Sequence, residues 1–179
     1  MAPYTENREN GGVRCRRKVK QQILKYIIRR ADKPDISSML KLLKILFSLE
    51  TDFSFDELSQ QKGLEIMLED RLNRCIMVAE LDQQIMGMCS AQILVSTAEG
   101  GMVALIEDLV VEDARRGQGI GKELLFFIEE WATARGVRRL QLLADCSNTP
   151  ALAFYQEMNW KSTQLICLHK KQPFSNGIN

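Results

Sequence analysis

The stretch that most constrains this chain is residues 103–122, Val-Ala-Leu-Ile-Glu-Asp-Leu-Val-Val-Glu-Asp-Ala-Arg-Arg-Gly-Gln-Gly-Ile-Gly-Lys. Val103 to Val111 is an apolar, β-rich run whose only charges are the adjacent pair Glu107 and Asp108. Glu112-Asp113-Ala114 is a short polar link, and Arg115 to Gly121 is a basic, glycine-dense turn that opens into a long amphipathic run. The order is strand, loop, helix N-terminus. Such a turn has little side-chain bulk, backbone N–H groups to spare and two arginines. It suits an anionic phosphate.

Two common phosphate motifs do not fit. A dinucleotide fingerprint needs G-x-G-x-x-G, whereas the spacing here is Gly117-x-Gly119-x-Gly121, with no acidic residue near Arg139 on a following strand. A P-loop needs Gly-Lys-Ser/Thr, and Gly121-Lys122 is followed by Glu123. A plain surface turn is the remaining alternative; the β signal before it and the helical signal after it argue against that.

The rest of the chain reads as alternating elements. Residues 23–29 predict a first strand. Asp32-Lys33-Pro34-Asp35 is a helix start, with Ile36, Met39, Leu40, Leu43, Leu46 and Phe47 at helical spacing to about Leu49. A second helix begins near Asp56, with Leu58, Ile66 and Leu68 along it and Gly63 weakening its middle. Arg74–Glu80 and Ile85–Ser96 form a hairpin around residues 81–84, and Gly87 signals a bulge or a close backbone approach. After the glycine turn, Ile120, Leu124, Phe127, Ile128 and Trp131 make one apolar helix face, ended by Gly136. Arg139–Ala144 is a strand. Asn148 caps a helix to about Met158, with Pro150 just inside and Asn159 in a left-handed stop against which Trp160 packs. Ser162–His169 is the last expected strand. The order β-α-α-β-β-β-α-β-α-β implies a mixed, mostly antiparallel central sheet flanked by helices on both sides, an α/β (α+β) fold.

A chain of 179 residues, 45% hydrophobic and 26% charged, is long enough for one domain with a real core. Residues 1–22 read as a flexible basic arm, 23–170 as the domain and 171–179 as a tail. Residues 1–30 hold nine Lys or Arg against two Glu, whereas the remainder is net acidic, so the globular part offers no nucleic-acid face. Five scattered cysteines without a C-x-x-C favour reduced thiols and a cytoplasmic location. A lone His169 makes a zinc site improbable, and no metal is expected. No signal peptide and no membrane span are read.

Arg-Arg-Gly-Gln-Gly-Ile-Gly, preceded by Ile-Glu-Asp-Leu-Val-Val, resembles the acetyl-CoA signature of the GCN5-related N-acetyltransferase (GNAT) superfamily, Gln/Arg-x-x-Gly-x-Gly/Ala. Ser147-Asn148-Thr149-Pro150-Ala151-Leu152-Ala153-Phe154-Tyr155 independently resembles that family's Asn-containing helix start with a Tyr seven residues on. The element order also matches, and the likeness covers about residues 24–169. The resemblance implies an acyl-CoA N-acyltransferase fold with acetyl-CoA as co-substrate. It implies that a bulged strand offers the backbone of Leu109, Val110 and Val111 to the pantetheine arm. The amides of Arg116, Gly117, Gln118, Gly119, Ile120, Gly121 and Lys122 would hold the pyrophosphate. Asn148 would position the cofactor arm, and Tyr155 would lie near the thioester sulfur.

An amine with a pKa of about 10 arrives protonated at neutral pH, so a base or a water chain must take a proton. The oxyanion needs a donor, which a backbone N–H near Leu109 or Val110 could supply. The departing thiolate gains from an acid. Tyr155 is read as that acid and Glu107 as the base, working through water. Glu107 also resembles the catalytic Glu of a Glu-Asp pair in polyamine-acetylating members. The strand position used for a base in other members is the apolar Leu143 here. Cys146 has no partner base in sequence and is not read as a nucleophile.

Acceptor recognition falls, by resemblance, to the first two helices and their loop, where Glu50, Asp52, Asp56 and Glu57 accompany Phe53 and Phe55 and would suit a cationic amine. The reading is an N-acetyltransferase acting on a small, polyamine-like amine or on a peptide or protein amine. The alternatives are a non-catalytic acyl-CoA-binding or regulatory domain and a protein-binding module using the basic arm. An exposed sheet edge would permit a homodimer.

Overall fold

The structure is a computed structural model that describes residues 26–49 and 52–171. The basic arm, the boundary expected at residues 22 and 23, Glu50 and the tail beyond 171 lie outside the described residues. In chain order the elements are β1 (Ile27–Arg30), α1 (Ile36–Leu49), α2 (Glu57–Glu69), β2 (Arg74–Leu81), β3 (Gln84–Ser96), β4 (Gly101–Val111), α3 (Ile120–Thr133), β5 (Arg139–Leu142) and α4 (Thr149–Glu157). The five strands lie in the order β1-β2-β3-β4-β5. The first four are antiparallel, and β5 joins β4 in parallel, Val103 beside Arg139 to Ile106 beside Leu142. This is the mixed, mostly antiparallel sheet that the element order implies.

Strand alternation sorts the core into two halves, one per sheet face. Cys75, Met77 and Ala79 of β2, with Ala91, Ala104 and Ile106, pack against Ile120, Leu124, Leu125, Ile128 and Trp131 of α3. Ile76 and Val78, with Met88 and Val110, pack against Met39, Leu40, Leu42 and Leu43 of α1 and Leu64 of α2. The helices therefore flank both faces.

Local chemistry sets the ends of these elements. Asp82 and Gln83 take φ of 49° and 64°, the paired positive values of the two-residue turn that closes a twisted hairpin. Asp56 caps α2 by accepting from Ser59 N. Gly136 sits at φ 70° in a Schellman stop, where Val137 N–H donates to Ala132 O at 3.2 Å and Gly136 N–H to Thr133 O at 3.0 Å. Beside Gly87 the β2–β3 register slips by one residue, and a Cβ at Gly87 would come within 3.1 Å of Val110 O. Both the bulge and the close approach that this glycine signals are therefore present.

Three expectations need correction. On α3 the buried stripe runs through Leu125, while Phe127 is exposed; the helix turns its face toward the strands by about one position. On α2, Leu64 is the buried residue, whereas Leu58 and Ile66 are exposed, because only one side of this short helix meets β2 and α1. Ser162–His169 is not a strand in this structure. It makes no ladder bond to the sheet, and its Leu165, Ile166 and Leu168 face solvent.

Candidate active site

The site begins where β4 leaves the sheet. Met88 pairs with Val110 and Ser90 with Glu107, so Asp108 and Leu109 together stand opposite the single residue Cys89. That is a β-bulge. Its strained position is Asp108 at φ 51°, a left-handed conformation that Asp tolerates better than most residues. The extra residue reverses the strand's faces: Ile106 lies in the α3-side core, yet Val110 lies in the α1-side core. Pairing with β5 also ends at Ile106 and Leu142. Among the described residues, no strand lies beside the edge of β4 toward β5 from Glu107 onward. Leu109, Val110 and Val111 lie on this open stretch, available to an extended ligand that pairs like a strand.

The turn follows at once. A single 3-10 turn, Asp113–Arg115, carries the chain to Gly117 and Gly119, at φ 73° and 86°. Gly119 is the N-cap of α3, where no side chain is available to cap the helix. The first bond of the helix runs from Glu123 N–H to Gly119 O at 3.1 Å. The amides of Gly119, Ile120, Gly121 and Lys122 therefore precede every intrahelical acceptor. They sit at the positive end of the helix dipole, an arrangement that suits an anion. Arg116 does something the sequence does not show. Its Nε donates to Val111 O at 3.2 Å and its Nη2 pairs with Asp113 at 2.8 Å, so the side chain braces the turn. Gln118 likewise donates back to Ala114 O at 3.3 Å. Gly121 leaves room for α4: a Cβ there would lie 3.6 Å from the Phe154 ring.

The third side comes from α4. Asp145 organises its approach, accepting from Ser147 N and Oγ at 2.7 and 2.8 Å; these bonds lower the Asp145 pKa. Asn148 Oδ1 caps the helix by accepting from Ala151 N at 3.2 Å, which leaves its Nδ2 as a donor at the entrance. Tyr155 is half-buried, with its ring centroid 5.3 Å from Phe154 and 6.1 Å from Trp160. Asn159 takes φ 65°, and Trp160 N–H returns to Tyr155 O at 2.9 Å, the stop expected there.

The two carboxylates on β4 have opposite environments. Glu107 is exposed, and Gln92 Nε2 donates to its Oε2 at 3.2 Å. Asp108 turns inward, with Oδ2 2.9 Å from Ser90 Oγ, and the same hydroxyl is 3.1 Å from the Glu107 carbonyl oxygen. Burial pushes the Asp108 carboxyl up from 3.8 to about 6; the Ser90 bond opposes the rise and the Glu107 charge adds to it. One hydroxyl proton cannot serve both oxygens. With Asp108 protonated, Asp108 donates to Ser90 and Ser90 to the Glu107 carbonyl, so one chain of hydrogen bonds links the three. Ser90 and Gln92 escaped sequence reading. Ser90 had one signal: it is the lone hydroxyl in the apolar run Met86-Gly-Met-Cys-Ser-Ala.

In the region of α1, α2 and their loop, Asp56 is committed to its helix cap, and Lys44 Nζ lies 5.9 Å from the Phe55 ring centroid. Phe53 is exposed; it stacks on Phe47 at 5.9 Å and meets the tilted His169 ring at 5.7 Å. Among the described residues no group of three His, Cys, Asp or Glu could hold a metal ion, and no helix is long and apolar enough to cross a membrane.

The profile of the acetyltransferase (GNAT) family matches residues 38–160. An aminoglycoside N(6')-acetyltransferase type 1 of Salmonella typhimurium is 24% identical over 120 residues, covering 65% of this chain and 81% of the relative. A transcriptional regulator from Bacillus halodurans superposes with a TM-score of 0.72 at 26% identity, covering 82% of this chain and all of that one. The aminoglycoside N-acetyltransferase AAC(6')-Iy in complex with CoA superposes with a TM-score of 0.72 at 20% identity, covering 83% of this chain and 96% of that one.

Proposed function

We propose, on the premise that this chain belongs to the acetyltransferase (GNAT) family and is an acetyl-CoA-dependent N-acetyltransferase, that its acceptor is a small cationic primary amine and that Glu107 and Tyr155 move the protons. The observation that carries the reading is the junction of two unpaired backbone surfaces. The open edge of β4 beyond Ile106 meets the glycine-capped N-terminus of α3. One surface suits an amide-bearing arm, the other a pyrophosphate, and acetyl-CoA presents both, with an activated acetyl group at the end of the arm.

On this reading the backbone of Leu109, Val110 and Val111 pairs with the arm, and an N–H at Leu109 or Val110 faces the developing oxyanion. The segment Arg116, Gly117, Gln118, Gly119, Ile120, Gly121 and Lys122 holds the pyrophosphate, chiefly through the amides from Gly119 on. Asn148 orients the arm with its uncommitted Nδ2. Glu107 takes a proton from the amine through water, since its carboxylate is solvent-facing and steadied by Gln92. Tyr155 hands a proton to the departing sulfur. Holding both substrates in one cleft removes the need for a covalent acyl-enzyme.

Exposed Asp52 and Glu57 with Phe53 favour a cation at the acceptor end, and the relative named above is an aminoglycoside N(6')-acetyltransferase. Among the described residues four cysteines are free, two of them exposed, which suits a reducing cytoplasm. The test is thiol release from acetyl-CoA across polyamines, aminoglycosides, amino acids and peptides. The expected result is a kcat/KM for polycationic small amines at least about tenfold above that for peptides, the scale of one favourable charge contact. Turnover confined to peptides would overturn the acceptor assignment.

A further inference from the structure

The arginines of this fold are not balanced alike. Arg29 pairs with Asp35 and Glu80, Arg116 with Asp113 and Arg139 with Glu99. Beyond the C-terminal end of α3, three others gather on the turn at 71–73 that joins α2 to β2. Arg30 Nη2 donates to Arg71 O at 2.6 Å and also to Arg74 O. Arg135 Nε donates to Leu72 O at 2.9 Å and its Nη1 to Trp131 O at 3.1 Å. Arg71 belongs to the turn itself, and its Nη1 lies 2.6 Å from Asp32 Oδ1.

Carbonyl oxygens hold a guanidinium in place without cancelling its charge. Arg30 and Arg135 are half-buried, yet neither has a carboxylate partner among the described residues. Charges taken out of water are ordinarily paired. Asp32 is given to Arg71, and Asp70 accepts from Leu72 N, Asn73 N and Asn73 Nδ2. The partial negative charge at the end of α3 offsets about half a unit. Burial lowers the Arg30 pKa, and the Arg71 and Arg135 charges lower it further, partly offset by Cys75 and Asp32. Cys75 lies beneath them, almost fully buried. Burial raises its thiol to about 11 against the pull of the same three arginines, so at neutral pH it supplies no counter-charge.

Donors are left over as well as charge. Arg30 Nε and Nη1 and Arg135 Nη2 make no hydrogen bond among the described residues. The Arg135 guanidinium lies 4.7 Å from the centroid of the Trp131 ring, whose Nε1 is buried without an acceptor among the described residues. A buried indole N–H usually finds one.

We propose that Arg30, Arg71 and Arg135 form a binding site for a phosphate dianion. Two unpaired guanidiniums call for two negative charges, and their forked edges match phosphate oxygens. The 14 residues of α3 place this cluster about 20 Å from the glycine turn at the other end of the helix. The site is therefore separate from the one assigned to acetyl-CoA and rests on none of the catalytic assignments.

The experiment titrates the full chain with inorganic phosphate at about pH 8, where phosphate is mainly a dianion, while chloride is lowered to hold ionic strength constant. NMR reads the Trp131 indole N–H and the Nε–H signals of Arg30 and Arg135. The Gly119 and Gly121 amides report the glycine turn separately. The three cluster signals should shift together and saturate with a Kd of about 1 mM or below. Arg135→Gln should weaken that binding at least about tenfold, the scale of one charge-assisted contact, and leave the response at Gly119 and Gly121 unchanged. Arg71→Gln, at a more exposed side chain, is the second variant should Arg135→Gln not fold, with a loss of about threefold or more. Three results overturn the proposal. One is the absence of saturation in the parent up to about 20 mM phosphate. Another is the same set of shifts with chloride alone, which is screening. The last is saturable binding at the cluster that the folded variant retains in full.

Discussion

The β4 side and the α4 side of the candidate site are anchored to different depths. The β4 side is set between two cores: Val110 and Ser90 are buried, as are Ile120 and Leu124 of the helix that follows. On α4 no residue is fully buried. It is held by Phe154 over Gly121 and by the Tyr155–Trp160 contact. On the proposed function the difference follows from what each side would do. Backbone groups that receive an extended ligand cannot adjust one at a time, so they are fixed by sheet register and a hydrogen-bonded bulge. A side chain that meets reacting atoms needs only correct placement of its own tip. Changes on the β4 side should therefore alter stability and binding together, whereas changes on α4 should separate activity from stability.

The strongest way to break this division is Tyr155→Phe. Loss of a general acid costs roughly 100-fold or more in kcat, while the retained ring keeps the contacts to Phe154 and Trp160. Steady-state kinetics with a preferred amine should show that fall beside a nearly unchanged melting midpoint. An unchanged kcat would remove the acid role, and a collapsed midpoint would show α4 to be as deeply anchored as β4. On the other side, Gly119→Val forces a β-branched residue to φ 86°. Strain of about 1–3 kcal/mol at the cradle should weaken acetyl-CoA binding by roughly ten- to a hundredfold in calorimetry.

Asp108→Asn probes the bulge through pH. The folded pKa of about 6 lies above the ordinary 3.8, so the folded state binds more protons between those values. This group's contribution is fully present below pH 3.8 and is lost as pH rises through about 6. Denaturant midpoints of the parent should fall across that window, and the Asn variant, which also tolerates the left-handed conformation, should lack this component of the slope. An unaltered slope would mean that Asp108 does not titrate inside the fold. The smallest effect is expected for Asn148→Ala, which removes one helix cap worth about 1 kcal/mol and should raise the KM for acetyl-CoA more than it lowers kcat.

Much of the fold was legible because it is local. The continuous apolar run of β2, the caps at Asp56 and Asn148, and the glycine stop at Gly136 are each written within a few residues. The glycine turn was legible for the same reason: positive φ at Gly117 and Gly119 is a requirement that glycine meets at least cost. Register and facing were not legible. Glu107 and Asp108 are neighbours of equal charge, and simple alternation could assign only opposite faces. The fate of each carboxylate depends on Cys89 and Ser90 across the sheet, where two residues oppose one. Phe127 and Leu125 traded places because a helix with apolar residues on several sides takes its buried stripe from the surface it meets. Ser162–His169 failed as a strand because strand chemistry is an offer of pairing, and the described chain does not take it up.

The chain's own order of residues determined the elements, their ends and the glycine turn at 116–122, since these depend on propensities and backbone freedom acting over a few neighbours. Tertiary structure decided which carboxylate is buried, which arginine braces the turn, and which backbone edge stays open. Those outcomes depend on desolvation and on hydrogen-bond partners far away in sequence.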